Sequence, residues 1–172
     1  MTTVFHSPGS VMHVAAASWA LAAGTTAQLV GKGTRAHRAG GVLYVASMGV
    51  TLGTAFHLYY LFGHFGIVHW GAVGCGLALL LGTGAVVLRR RVPAWRQWHY
   101  LGMGASLTGL YATLVVESTY RLFPPACFWW ATLGPAGAVL LGGGWLLYGQ
   151  RPGRVARVPL RPPAGRLERR MA

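Results

Sequence analysis

The chain has 172 residues and is 53% hydrophobic but only 10% charged, whereas a soluble domain carries about 25% charged residues. This composition leaves little room for a soluble domain. The net charge of +13 comes from 15 Lys and Arg against 2 acids. Arginine clusters beside a membrane set topology and contact anionic lipid, so we favour a lipid surface over nucleic acid as the partner of this charge.

Five apolar stretches, each roughly 20 residues or longer, can span a hydrocarbon core of about 30 Å. They are Val11–Val30, Gly41–Phe62, Ile67–Leu88, Trp98–Leu122 and Ala126–Tyr148. The sequence therefore predicts an all-α fold, a polytopic membrane bundle of five transmembrane helices at 11–148. The leader at 1–10 has no Lys or Arg and so lacks the charged region of a signal peptide, and Ser10 is the predicted N-cap. The basic, Pro-rich tail at 149–172 is predicted to be disordered.

The basic residues predict the orientation of the bundle. With five helices, 14 of the 15 lie in the first loop, the third loop or the tail, which share one face; only Arg121 lies on the other. The positive-inside rule makes that face cytoplasmic. The N-terminus is then outside, the C-terminus is cytoplasmic, and the protein belongs in the inner membrane of a bacterium.

Small residues recur at four-residue spacing and predict close helix packing. They are Ala16, Ala20 and Gly24; Gly49 and Gly53; Ala105 and Gly109; and Gly134, Ala138 and Gly142. The two cysteines, Cys75 and Cys127, fall at different depths, which argues against a disulfide. Both are predicted to be small buried hydrophobic residues.

Four histidines and one carboxylate are predicted to converge on the outer half of the bundle. His13 lies near the start of the first helix, His57 about a turn and a half inside the end of the second, and His69 at the start of the third. Glu117 lies at a depth similar to that of His57, and His64 occupies the outer hairpin. Imidazoles with one carboxylate suit zinc, copper or iron, and two histidines on different helices can also ligate a b-type haem.

The inner face carries His37 and His99, both at predicted helix starts. A haem between them is one interpretation. The favoured interpretation is that they anchor the loops by hydrogen bonds and position the basic clusters.

Glu117 is the only acid in the hydrophobic body, and an acid within a membrane segment indicates function by default. The alternative is an i,i+4 ion pair with Arg121, which lowers the cost of both charges. The chain has no HExxH, CxxCH or serine-elbow motif, so no enzyme class is indicated.

These features follow one another in a recognisable order along the chain. His13 opens the first helix, the stretch Lys32-Gly-Thr-Arg-Ala-His-Arg-Ala-Gly40 opens the second, Trp98-His99 opens the fourth, and Glu117 lies late in it. Over Val11 to Leu122 the chain resembles a bacterial family of small predicted membrane proteins catalogued only as a domain of unknown function. The resemblance implies a membrane fold and no particular activity. The placement of the histidines also resembles that of b-type cytochromes with four to six helices.

Three function classes follow from the sequence. The favoured one is a membrane protein that binds a transition metal or b-type haem through histidines. The second is a structural or assembly subunit without a cofactor, and the third is a small proton-coupled transporter with Glu117 and His57 as relay groups. The expected partners are the lipid bilayer and anionic lipids at the cytoplasmic face. A partner membrane protein and a homo-oligomer both stay open.

Overall fold

The computed structural model describes residues 7–58, 63–120 and 122–150. These residues form five α-helices and no β-strand, which confirms the all-α prediction. The helices are α1 (Pro8–Leu29), α2 (Arg35–Ala55), α3 (Ile67–Val87), α4 (Trp95–Thr119) and α5 (Gly134–Gly149). A 3₁₀ turn at Pro125–Cys127 and a π-helical turn at Phe128–Leu133 precede α5.

The N-cap of the first helix lies three residues before the predicted one. Ser7 is the N-cap, and its hydroxyl accepts from the Ser10 backbone N–H at 3.2 Å. Ser10 completes a capping box, because its own hydroxyl accepts from the Ser7 backbone N–H at 3.1 Å. Pro8 at the first helical position needs no N–H partner. The prediction of Ser10 as N-cap is therefore wrong.

The second helix begins at Arg35, six residues before the predicted apolar stretch. Thr34 is its N-cap, and the Thr34 hydroxyl accepts from the His37 backbone N–H at 3.2 Å. A side-chain cap satisfies a donor that the helix itself leaves without a partner. Capping rather than hydropathy therefore sets this boundary, and it places His37 in the first turn of α2.

The second helix also ends early, at Ala55. Phe56 stacks on Phe65 of the following hairpin, with ring centroids 6.5 Å apart and planes 15° from parallel. This contact accompanies the departure of the chain from the helix. The prediction that His57 lies inside the helix is wrong, because His57 is an exposed residue of the turn.

The helices pack as two hairpins, α1 with α2 and α3 with α4, and α5 packs on α4. Smaller contacts between α1 and α4 and between α2 and α3 join the hairpins. Most of the core lies between the hairpins and consists of Ala20, Ala23, Tyr44, Met48, Cys75, Leu79, Leu107 and Leu110. We call the end with the α1–α2 and α3–α4 loops the basic end, and the opposite end the Glu117 end.

The closest helix contact joins α3 to α4 at Gly82 and Gly102. A Cβ at Gly102 would overlap the Gly82 backbone, and a Cβ at Gly82 would lie 2.7 Å from the Met103 nitrogen. The predicted small residues Gly24 and Gly109 also face neighbouring side chains. Others, such as Gly49, face open space. Small residues therefore permit close packing at some of the predicted positions. The closest contact, between Gly82 and Gly102, lies at positions that were not predicted.

Two of the described helices are long and apolar enough to cross a membrane, Ile67–Val87 and Phe128–Gly149. Buried polar side chains occur in these two spans, at His69 and Thr132, as well as in the other three helices, at His13, Thr51 and Ser106. Both cysteines are free, as predicted, but Cys127 is exposed, so the prediction of its burial is wrong. Residues 1–6 of the leader, Arg121 and residues 151–172 of the tail lie outside the described residues.

Candidate functional site

The loop between α1 and α2 holds His37 in a fixed position. His37 Nδ1 lies 2.9 Å from the carbonyl oxygen of Ala27, in the last turn of α1. A carbonyl oxygen only accepts, so Nδ1 carries the hydrogen. In the neutral imidazole the lone pair is therefore on Nε2, a tautomer that can ligate a metal through that nitrogen.

The second hairpin positions His99 in the same way. His99 Nδ1 lies 2.9 Å from the carbonyl oxygen of Gly82, near the end of α3. Nδ1 is again the donor, and the neutral ring again carries its lone pair on Nε2. Each hairpin therefore uses a backbone carbonyl of its first helix to fix a histidine at the start of its second helix.

The correspondence between the hairpins extends along the helices. Three residues after each histidine is a glycine, Gly40 in α2 and Gly102 in α4. A Cβ at Gly40 would meet Ala27, and one at Gly102 would meet Gly82. Gly102 is needed for the close approach of α4 to Gly82, whereas a Cβ at Gly40 would lie 3.4 Å from Ala27, an ordinary van der Waals distance. The repeated His-x-x-Gly was a signal in the sequence that could have revealed this correspondence.

Seven residues after each histidine, the two hairpins are joined by a buried hydrogen bond. The hydroxyl of Tyr44 donates to Ser106 Oγ at 2.9 Å. Both side chains are fully buried. This bond ties α2 to α4 about two turns from the histidines, so the spacing of the two helices is fixed close to the histidine pair.

The rings of His37 and His99 meet between α2 and α4. Their centroids are 6.3 Å apart, and the ring planes are nearly perpendicular at 89°. Both residues are half-buried. The basic end thus brings together two imidazoles from equivalent positions, each with its Nδ1 hydrogen bonded to the main chain.

Positive charge is concentrated at the basic end. The basic side chains near it are exposed and comprise Lys32, Arg35, Arg38, Arg89, Arg90, Arg91 and Arg96. Lys32 Nζ donates to the carbonyl oxygens of Gln28 at 2.7 Å and Ala27 at 3.2 Å. Burial lowers the pKa of the Lys32 ammonium. Glu117 is the only carboxylate side chain among the described residues, and it lies near the far end of α4.

At the Glu117 end, the structure brings together two of the residues predicted to form a metal site. His13 Nε2 lies 3.6 Å from Glu117 Oε1, and His13 Nδ1 lies 2.9 Å from Thr54 Oγ1. His13 is buried, whereas 44% of the Glu117 side chain is exposed. The contact links α1, α2 and α4. Arg121, the other predicted partner of Glu117, lies outside the described residues.

His69 and His57 have other surroundings. His69 is buried, its Nδ1 accepts from the Gly66 backbone N–H at 3.1 Å, and its ring stacks on Phe65 at a centroid distance of 4.9 Å. His57 and His64 are exposed. Over residues 7–58, 63–120 and 122–150, no group of three or more His, Cys, Asp or Glu side chains could hold a metal ion. His13, His57, His69 and Glu117 therefore do not form one metal-binding group.

Comparison with known proteins adds no relative. No protein-family model, no curated protein and no solved structure matches the chain. The resemblance drawn from the order of its motifs therefore stays a prediction, and the case for function depends on the geometry of the histidines.

Proposed function

We propose that the protein is an integral membrane b-type haem protein in which His37 and His99 are the axial ligands. The observation that carries the proposal is the pairing of two imidazoles, each with its Nδ1 donating to a backbone carbonyl, at a centroid distance of 6.3 Å. Metal-ligating histidines characteristically donate their other ring nitrogen in this way, which fixes the tautomer and the ring orientation.

The spacing of the rings is compatible with both histidines binding one metal. A metal–nitrogen bond of about 2 Å puts the metal roughly 3.2 Å from the centroid of the ligating ring. Two such rings then have centroids about 6.4 Å apart, if both lie on one axis. The separation of 6.3 Å agrees with this expectation. The perpendicular planes are compatible with it, because rotation of a ring about the axis leaves the bond length unchanged.

The number of ligands favours haem over a bare metal ion. A zinc site takes four ligands, of which three or four come from protein. The described residues hold no group of three suitable side chains. A haem iron takes four nitrogens from the porphyrin and needs only axial ligands from the protein. Two histidines are therefore sufficient for haem and too few for a typical zinc site.

The charge around the pair suits the same ligand. Haem b carries two propionate groups, and arginine pairs with carboxylates through two parallel hydrogen bonds. Arg38 lies next to His37, and Arg96 lies three residues before His99. With both axial positions filled by protein, electron transfer is the chemistry that the bound group would supply.

The proposal includes the position of the protein in the membrane. Large apolar side chains are exposed along α3 and α5, including Leu77, Leu80, Leu141, Trp145 and Leu146. Hydrocarbon accommodates such a surface, and a soluble monomer rarely exposes one of this extent. We propose that all five helices cross the inner membrane, with the N-terminus outside and the basic end at the cytoplasmic surface, against anionic lipid.

The test is the haem content of protein purified from membranes. Wild type should carry haem b, seen as a Soret band and as pyridine haemochrome, with no stoichiometric zinc or copper. His37→Ala and His99→Ala should each lose most of the haem. His57→Ala is the matched control and should keep it, since His57 is exposed beyond the end of α2. Wild type without haem, or haem retained in both ligand variants, would refute the proposal.

A second function, a structural subunit without a cofactor, is supported by the same hydrogen bonds. The Nδ1 contacts of His37 and His99 each tie the start of one helix to the end of another, which alone would stabilise the loops. That function predicts haem-free wild type and a loss of stability in both histidine variants.

A further inference from the structure

The carbonyl oxygen that holds His37 accepts from two side chains. His37 Nδ1 donates to Ala27 O at 2.9 Å, and Lys32 Nζ donates to the same oxygen at 3.2 Å. Lys32 also donates to Gln28 O at 2.7 Å and to Gln28 Oε1 at 3.2 Å. Its ammonium is therefore fixed at the end of α1, where it shares the Ala27 carbonyl oxygen with the His37 ring.

The carbonyl oxygen that holds His99 has no such second donor, because among the described residues no Lys or Arg side chain donates to Gly82 O. Lys32 lies five residues after Ala27, and the residue five after Gly82 is Val87. Val87 is the last residue of α3 and is 80% exposed. The two histidines thus have the same backbone hydrogen bond, but among the described residues only the carbonyl that holds His37 also accepts from an ammonium.

We propose that Lys32 is a positioning residue that raises the redox potential of the haem held by His37 and His99; this inference depends on the proposed function. An ammonium on Ala27 O draws electron density from the carbonyl, which makes it a weaker acceptor for the Nδ1 hydrogen. His37 then becomes a poorer electron donor to the iron, and the outer shell of a ligating histidine tunes the metal in this way. The positive charge itself also favours the ferrous state, which carries one positive charge fewer.

The test is a spectroelectrochemical titration of purified, haem-loaded protein. Lys32→Gln should lower the midpoint potential, and Lys32→Arg should keep it near the wild-type value. Arg35→Gln is the charge-matched control. It removes one exposed positive charge from the basic end. His37 and Lys32, the two described side chains that donate to Ala27 O, remain in place. Its shift should be smaller than that of Lys32→Gln.

Lys32→Gln also weakens the cap at the end of α1. A variant that gains a charge elsewhere therefore tests the inference independently of that cap. Val87→Lys adds a positive charge at the basic end, on the helix that carries Gly82, and should raise the potential relative to Val87→Gln. Unchanged potential in both Lys32→Gln and Val87→Lys, or a Lys32→Gln shift no larger than that of Arg35→Gln, would overturn the inference alone. Absence of haem from wild type would overturn the proposed function as well.

Discussion

The two ends of the bundle use histidine differently. At the basic end, His37 and His99 each donate Nδ1 to a backbone carbonyl. The neutral rings therefore keep their lone pairs on Nε2. At the Glu117 end, His13 has a side chain at each ring nitrogen, with Thr54 at Nδ1 and Glu117 at Nε2.

This difference shows why burial and residue type do not identify a ligand. His13 is the more buried residue, and it has a carboxylate beside it, yet its two nitrogens already have neighbours within the protein. The half-buried pair at the basic end is better prepared for a metal, because a rigid main-chain acceptor sets the tautomer of each ring. We therefore expect changes at the basic end to lower the haem content and changes at the Glu117 end to leave it unchanged.

The largest effect should come from Gly102→Ala. The added Cβ overlaps the Gly82 backbone, so the helices must separate. Overpacking of this kind costs about 1–3 kcal/mol, and the shift should also displace His99 from Gly82 O and lower the haem content. Thermal unfolding in detergent and the Soret absorbance measure the two effects.

Gly84→Ala is the control for that change. Gly84 lies in α3, near Gly82, but a Cβ there meets nothing within 4 Å. Alanine is favoured over glycine within a helix by about 1 kcal/mol, so this variant should be as stable as wild type or more so, with full haem. Equal stability of the two alanine variants would contradict the close α3–α4 contact.

An intermediate effect is expected for Tyr44→Phe. The change removes the donor to Ser106 Oγ and leaves a fully buried hydroxyl without that partner. Leaving a buried polar group unsatisfied costs about 1–3 kcal/mol. Because the bond sets the α2–α4 spacing, haem affinity should fall in parallel with stability, as measured by haemin titration of apoprotein. Stability that falls with unchanged haem affinity would separate this bond from the site.

The smallest effect should come from Glu117→Gln. The side chain is 44% exposed and lies 3.6 Å from His13 Nε2, and a contact of this kind with a partly exposed carboxylate contributes about 0–1 kcal/mol. We expect a small fall in unfolding temperature and wild-type haem content. Loss of haem in this variant would place Glu117 in the site and remove the distinction between the two ends.

Much of the helical fold could be predicted, because long apolar stretches determine the number of helices. Their ends could not, since short-range contacts decide them. Thr34 caps α2, which begins at Arg35, six residues ahead of the apolar stretch, and Ser7 replaces Ser10 as the cap of α1. The prediction for His57 failed for the same reason, because its depth was counted from an end of α2 that hydropathy misplaced.

The candidate site was predicted only in part. The sequence predicted that His37 and His99 lie on one face, because both are at predicted helix starts. It allowed both a haem site and loop anchoring for them. The contact of each Nδ1 with a carbonyl oxygen depends on how α1 packs against α2 and how α3 packs against α4. Hydropathy gives no information on that packing. Hydropathy placed His13 and Glu117 at one end correctly, but it could not show that Thr54 also contacts the His13 ring.

The coordination state of the iron tests the central claim most directly. Low-temperature electron paramagnetic resonance of oxidised wild type should show a low-spin, six-coordinate ferric haem at one per chain. Carbon monoxide should leave the reduced spectrum unchanged, because His37 and His99 fill both axial positions. A high-spin or carbon-monoxide-binding haem, or protein without haem, would contradict the account.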